Sequence, residues 1–238
     1  MSNPIERPHV LLFDIDGTLI DSGGAGGGAL LKALQREFEL DQVQPVGLHG
    51  RTDLGIFSEL LENHGISPDA GNFERLKNQY LELLPSELLS RTAEVLPGVR
   101  ELLNHLQSCE QVVSAILTGN LPGSAQLKLE HHGLWDFFEF GIYGDLAPHR
   151  PDLAVPAMDI VAKRVEAGVA GSDVTIIGDT PLDVELAKRM GARCLGVCTG
   201  GFEAVHLRDA GADHVVENMA DVDAITGWLL PAPSVRTN

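Results

Sequence analysis

Residues 9–19 read HVLLFDIDGTL, an apolar run from His9 to Phe13 that leads straight into Asp14-Ile15-Asp16-Gly17. A run that is apolar on both faces suits a central strand of a parallel sheet, covered from both sides. Working outward, similar runs recur at 111–117 (QVVSAIL), 173–177 (DVTII) and 193–197 (RCLGV), with a weaker one at 214–216. Helical patterns lie between them at 99–107, 123–132, 153–166, 182–190 and 203–210. This alternation of strand and helix predicts an α/β fold, a doubly wound parallel sheet. Pro97 and Pro122 are placed as first residues of helices, where a missing N–H costs nothing. The helix after Arg150 is expected to start between Asp152 and Pro156.

One stretch breaks the alternation. Leu30, Leu31, Leu34 and Phe38 fall at helical intervals, as do Ile56, Leu60 and Leu61, and then Leu76, Tyr80, Leu83 and Leu84. The pattern predicts a small helical domain inserted after the first strand. It is reached through the Gly-rich run 23–28 and left near 91–97, two segments that read either as hinges or as ordinary loops. The expected organisation is a core of residues 1–21 and 92–230, a helical insert of 22–91, and a disordered tail of 231–238.

Composition narrows the function. The chain has 238 residues, enough for one full core and a smaller inserted unit. With 17 Lys+Arg against 34 Asp+Glu the formal charge is −17, which argues against nucleic acid and anionic membrane as partners. A phosphorylated substrate would therefore need a local positive site, such as a metal. Cys109, Cys194 and Cys198 offer neither a disulfide framework nor zinc-site spacing, and read as small buried apolar residues in a reducing compartment. The N-terminal residues carry no apolar stretch of signal length, and no run of 18 apolar residues occurs, so the expectation is a cytoplasmic protein.

Four features sit just beyond the carboxyl ends of predicted strands, where a parallel sheet carries its ligands. The first is Asp14-Ile15-Asp16-Gly17-Thr18-Leu19. Two carboxylates one residue apart at a strand end repel each other, and a divalent cation would relieve the repulsion. Oxygen-only ligands suit Mg²⁺. The second is Leu117-Thr118-Gly119-Asn120, a hydroxyl and a glycine before a helix start, which reads as a phosphoryl cradle or as a helix N-cap. The third is Gly178-Asp179-Thr180-Pro181-Leu182-Asp183. Asp179 is placed to complete a metal site, while Asp183 either supports it from behind or favours the helix dipole. The fourth is His149-Arg150-Pro151, either a surface arginine or a cation for the charge that develops in phosphoryl transfer.

In chain order these features resemble the motifs of the haloacid dehalogenase-like hydrolase superfamily. DIDGTL resembles its first motif, LTGN its second and GDTPLD its fourth, and LPGVRELLNHL resembles the segment that re-enters the core after a helical cap. The resemblance implies a phosphatase. Asp14 would be the nucleophile and form an aspartyl-phosphate, and Asp16 would protonate the leaving alcohol and then deprotonate water. Mg²⁺ would be held by the Asp14 side chain, the Asp16 backbone carbonyl and the Asp179 side chain. Thr118 and the Gly119 N–H, with Asn120 beside them, would hold the phosphoryl group. Asp16 also speaks for a phosphatase over a dehalogenase, since a departing halide needs no proton.

The third motif departs from the family pattern, with Arg150 where a Lys is usual; Arg keeps the charge but is planar and forked. The inserted helical cap resembles the phosphoglycolate phosphatase and β-phosphoglucomutase branch. In that branch such caps close over small substrates. By the same resemblance Arg51, within His49-Gly50-Arg51-Thr52-Asp53, either reaches the substrate or serves the structure. By themselves His49 and Asp53 read as a loop turn and a helix N-cap. The expected substrate is a small phosphorylated metabolite, handled by a monomer or homodimer. The alternatives are a phosphosugar mutase of the same superfamily and a non-catalytic relative.

Overall fold

The computed structural model describes residues 8–165 and 168–230; the proposed tail and position 166 of the predicted helix lie outside them. The strand His9–Phe13 (β1) leads into a short strand, Ile20–Asp21 (β2). Three helices follow, Ala25–Glu37 (α1), Asp53–Asn63 (α2) and Ala70–Ser90 (α3), and then a short strand, Glu94–Val95 (β3). The chain continues through Val99–Gln107 (α4), Val112–Leu117 (β4), Pro122–His131 (α5), Gly141–Ile142 (β5) and Ala154–Arg164 (α6). Val174–Gly178 (β6), Pro181–Met190 (α7), Arg193–Val197 (β7), Ala204–Ala210 (α8), His214–Val216 (β8) and Val222–Leu229 (α9) complete it.

Six strands form one parallel sheet in the order β5-β4-β1-β6-β7-β8. The apolar run that opens the chain is its centre, paired with β4 on one edge and β6 on the other. Alternation along β1 serves two cores. Leu11 and Phe13 pack on the α4, α5 and α9 side, with Leu102, Leu129 and Ile225. Val10 and Leu12 pack on the α6 and α7 side, with Val161 and Leu186. Helix α7 shows how local sequence sets an end. Pro181 occupies its first turn, the Thr180 hydroxyl and the Asp183 carboxylate cap each other's backbone N–H, and Gly191 closes it with φ 65°.

Helices α1 to α3 bury a third apolar cluster, which includes Leu34, Phe57, Leu60 and Tyr80 and takes in Leu121 from the start of α5. Two sequence expectations, on Pro97 and on the cysteines, are corrected here. Of the Gly-rich run, Gly23 and Gly24 form the turn ahead of α1, with φ 58° and 76°, while Gly26, Gly27 and Gly28 lie in the first turn of the helix. A Cβ on Gly27 would come within 2.8 Å of Leu48, and one on Gly28 within 2.7 Å of Glu87 Oε2, so the missing side chains let the helix lie close to its neighbours. The two connections to the insert are also tied together, because β2 and β3 form an antiparallel pair and Arg91 donates to the Gly23 carbonyl at 3.2 Å. Pro97 stands two residues ahead of α4, whose N-cap is Gly98 at φ 80°. Of the three cysteines, Cys194 is buried, but Cys109 and Cys198 are only half-buried, since neither lies on the inner face of an element.

Candidate active site

The sheet order explains why residues far apart in sequence meet. The chain adds β4 on one side of β1 and β6 on the other, so the crevice beyond their carboxyl ends lies at a topological switch point. Asp14 follows β1, Thr118 follows β4 and Asp179 follows β6. The Asp14 N–H donates to the Ile177 carbonyl at 2.9 Å, which ties the end of β1 to the end of β6. These residues line a cavity of about 470 Å³ between the sheet and the three-helix insert. Its size suits a small metabolite.

Asp14, Asp179 and Asp183 are buried, and one carboxylate oxygen of each lies within 4.8 Å of the others. Arg150 lies among them. It starts a 3-10 turn, Arg150–Leu153, and is 2% exposed. Its Nη2 is 3.0 Å from Asp14 Oδ1, and its Nε and Nη2 reach Asp183 Oδ1 at 2.8 and 2.5 Å. Arg150 is therefore not a surface arginine, and the forked guanidinium spans two carboxylates that a single ammonium would not bridge in the same way. Asp183 has little capacity left, because its Oδ2 accepts the Thr180 N–H at 3.0 Å and the Thr180 hydroxyl at 2.8 Å.

One guanidinium does not offset three crowded acids. Burial pushes Asp179 up to about 8, with the charges of Asp14 and Asp183 adding to it. Burial likewise lifts Asp14 to about 6, against the pull of Arg150. Carboxylates held this way favour a cation between them. The donor set fits Mg²⁺, which takes one or two carboxylates and keeps the rest of its shell for water and substrate oxygens. Asp14 and Asp179 are the carboxylates available, since Asp183 is occupied. Gly17, with φ +82°, leaves room for Asp179, whose Oδ2 would be 2.5 Å from a Cβ there.

Asp16 is in a different environment. Its Oδ2 accepts Asn120 Nδ2 at 2.8 Å and Lys128 Nζ at 2.6 Å. Burial works against ionisation, but Lys128, Asn120 and Ser22 outweigh it and hold Asp16 below the usual carboxylate range. The two acids of the first motif thus have separate counter-cations, Arg150 for Asp14 and Lys128 for Asp16.

The sequence reading placed Asn120 on the substrate. Its amide is instead fully used inside the site. Nδ2 donates to Asp16 and, at 2.9 Å, to Thr118 Oγ1, while Oδ1 accepts Lys128 at 2.6 Å. The lysine fixes which end of the amide is the oxygen. Thr118 Oγ1 also accepts the Asn120 N–H at 3.3 Å, so the Thr118 proton is what remains to offer a phosphoryl oxygen.

Asp53 is not the N-cap of α2. Thr52 caps α2, and the Asp53 carboxylate crosses to the start of α5, accepting the Leu121 N–H at 2.8 Å and the Ser124 hydroxyl at 3.2 Å. The Asp53 N–H donates to the Gly119 carbonyl at 2.7 Å and the Thr52 hydroxyl to the Pro148 carbonyl at 2.8 Å. The insert is thereby clasped to the loops that carry Thr118 and Arg150. Arg51 lines the cavity, with Nη2 2.5 Å from Glu59 and Nη1 donating to the Gly47 carbonyl at 2.9 Å. Lys128 and Tyr80 also line the cavity and were missed as site residues. The signal for Lys128 was a polar pair, Ser124 and Lys128, four apart on the buried face of a helix.

The sequence matches the profile of haloacid dehalogenase-like hydrolases over residues 11–197. The chain belongs to that family. It is 32% identical over 200 residues to a phosphoglycolate phosphatase from Pseudomonas savastanoi pv. phaseolicola, covering 81% of this chain and 70% of the relative. It is 25% identical over 223 residues to another from Nitrosococcus oceani, covering 92% and 96%. A crystal structure of a predicted phosphoglycolate phosphatase from Haemophilus somnus shares the fold with a TM-score of 0.69 at 19% identity, covering 94% of this chain and all of that one. This haloacid dehalogenase-like hydrolase is a phosphatase of the phosphoglycolate phosphatase-like branch.

Proposed function

We propose that the enzyme hydrolyses a small phosphate monoester with Mg²⁺, through an aspartyl-phosphate on Asp14. The observation that carries this reading is the pairing of the two acids with different cations, which separates a nucleophile from an acid/base. Asp14 attacks phosphorus as the ester P–O bond breaks. Asp16 supplies the proton to the departing oxygen and later takes one from the attacking water. Arg150, the Thr118 hydroxyl and the Gly119 N–H hold the phosphoryl oxygens. Mg²⁺, held by the side chains of Asp14 and Asp179 and the Asp16 carbonyl, would neutralise charge on the transferring group. Asp183 holds Arg150 in place.

Helices α1 to α3, within residues 22–91, act in this reading as a cap over the site, and Arg51, released from Glu59, meets the non-reacting end of the substrate. No described helix is long and apolar enough to cross a membrane. The test is a screen of phosphorylated metabolites with Mg²⁺, run beside Asp14→Asn. Turnover of small esters by the wild type alone is expected, with Arg51→Ala losing more on carboxylate-bearing esters than on neutral ones. Turnover that survives Asp14→Asn would refute the mechanism.

A further inference from the structure

Lys128 is the one buried cation of the site that the proposed reaction leaves without a role. It lies on α5 with its side chain 4% exposed. A lysine stem on a surface helix ordinarily carries its ammonium out to water. Here the stem turns inward beside Ala125 and Leu129, and the ammonium ends in the cavity, where a Cβ on Gly26 would be only 3.3 Å from Nζ. Burying an ammonium costs several kcal/mol unless its partners are well placed. Its hydrogen-bond partners, Asp16 Oδ2 and Asn120 Oδ1, both 2.6 Å away, belong to the site and not to the helix. An apolar residue at this position would pack with the same neighbours at no such cost.

The arrangement holds Asp16 twice. Lys128 binds Oδ2 directly. By also occupying Asn120 Oδ1 it turns the amide so that Nδ2 donates to the same Oδ2 at 2.8 Å. An acceptor-only carboxylate can receive only the NH₂ end of the amide, so Lys128 and Asp16 hold Asn120 in the same sense. Asp16 itself lies on the cavity wall with its side chain 37% exposed, where water would otherwise let the carboxylate turn.

We propose that Lys128 is the positioning residue for Asp16, fixing the carboxylate directly and through Asn120 in the orientation from which it serves the departing alcohol. The assignment rests on the phosphatase reading above. As the P–O bond breaks and the Asp14–P bond forms, a proton taken up on Asp16 Oδ1, the oxygen that Lys128 and Asn120 do not bind, moves to the ester oxygen, while Lys128 keeps all of its own. A group that acts through the acid matters most where the leaving oxygen most needs a proton.

The experiment compares kcat/KM on phosphoglycolate, a poor leaving group, and 4-nitrophenyl phosphate, a good one, with Mg²⁺ present. Lys128→Met is expected to lose roughly 100-fold on the first and about tenfold less than that on the second, within the range of positioned acid/base catalysis. If Lys128→Met does not fold, Lys128→Gln, which keeps a donor without the charge, decides by the same ratio. Loss that is equal on both esters, or no loss, overturns the positioning role. Failure of the wild type to turn over either ester counts instead against the phosphatase reading.

Discussion

Arg150 shows how one residue can carry two jobs at atomic scale. Its guanidinium reaches forward to Asp14 at 3.0 Å and back to Asp183 at 2.8 and 2.5 Å. Arg150→Ala would leave Asp183 buried with no counter-charge, and a destabilisation of about 3 kcal/mol or more is expected in urea unfolding. Arg150→Lys keeps the charge but not the fork, so it should recover much of the stability and less of the turnover. A lysine variant with wild-type kcat would show that the fork is not needed. In sequence Arg150 could be read as a surface residue or as a site cation; the burial of the turn that carries it decided between them.

At the scale of elements, the contact between the insert and the core is a clasp between two helix starts. The Asp53 carboxylate, on the first turn of α2, caps α5. Burial lifts Asp53 from 3.8 to about 6, against the pull of the Lys128 charge and the Leu121 N–H, with Asp16 adding to the rise. The folded protein thus holds more protons here than the unfolded chain, and this acid makes stability fall as pH rises from about 4 to about 6. Asp53→Asn keeps an acceptor and removes the titration. Its stability relative to wild type should therefore rise across that window, which thermal melts at a series of pH values would detect; a constant difference would contradict the clasp. None of this was legible locally, because Asp53 and Leu121 are 68 residues apart and meet only when α2 docks.

For the whole molecule, a chain of formal charge −17 must bind a dianion in a cleft lined by acids. Arg150, Lys128 and Arg51 are already paired with Asp14, Asp16 and Glu59, so a divalent cation is the natural remaining source of positive charge. Mg²⁺ with beryllofluoride, a mimic of the phosphorylated aspartate, should raise the melting temperature of the wild type. At a hundred times its Kd the gain is about 2.7 kcal/mol. Asp14→Asn, which cannot carry the mimic, should show no such gain; an equal gain would place the anion elsewhere.

Much of the architecture was already visible in one dimension. The apolar runs that end in Asp14, Thr118 and Asp179 show period and composition along the chain itself, and an apolar strand between two cores can end in acid only where a ligand or counter-charge awaits it. The helices α1 to α3 were legible for the same reason, since the intervals of Leu30, Leu34, Ile56, Leu60, Leu76 and Tyr80 are those of an amphipathic face. Partnership was not. The glycines of α1, the amide of Asn120, the carboxylate of Asp53 and the ammonium of Lys128 take their roles from atoms many residues away. Periodicity reports which face of an element is buried, but only the packing of elements decides which polar group on that face meets which. The first motif states that Asp14 and Asp16 belong together, and the tertiary structure divides them, one to Arg150 and one to Lys128, because a buried charge is stable only beside its partner.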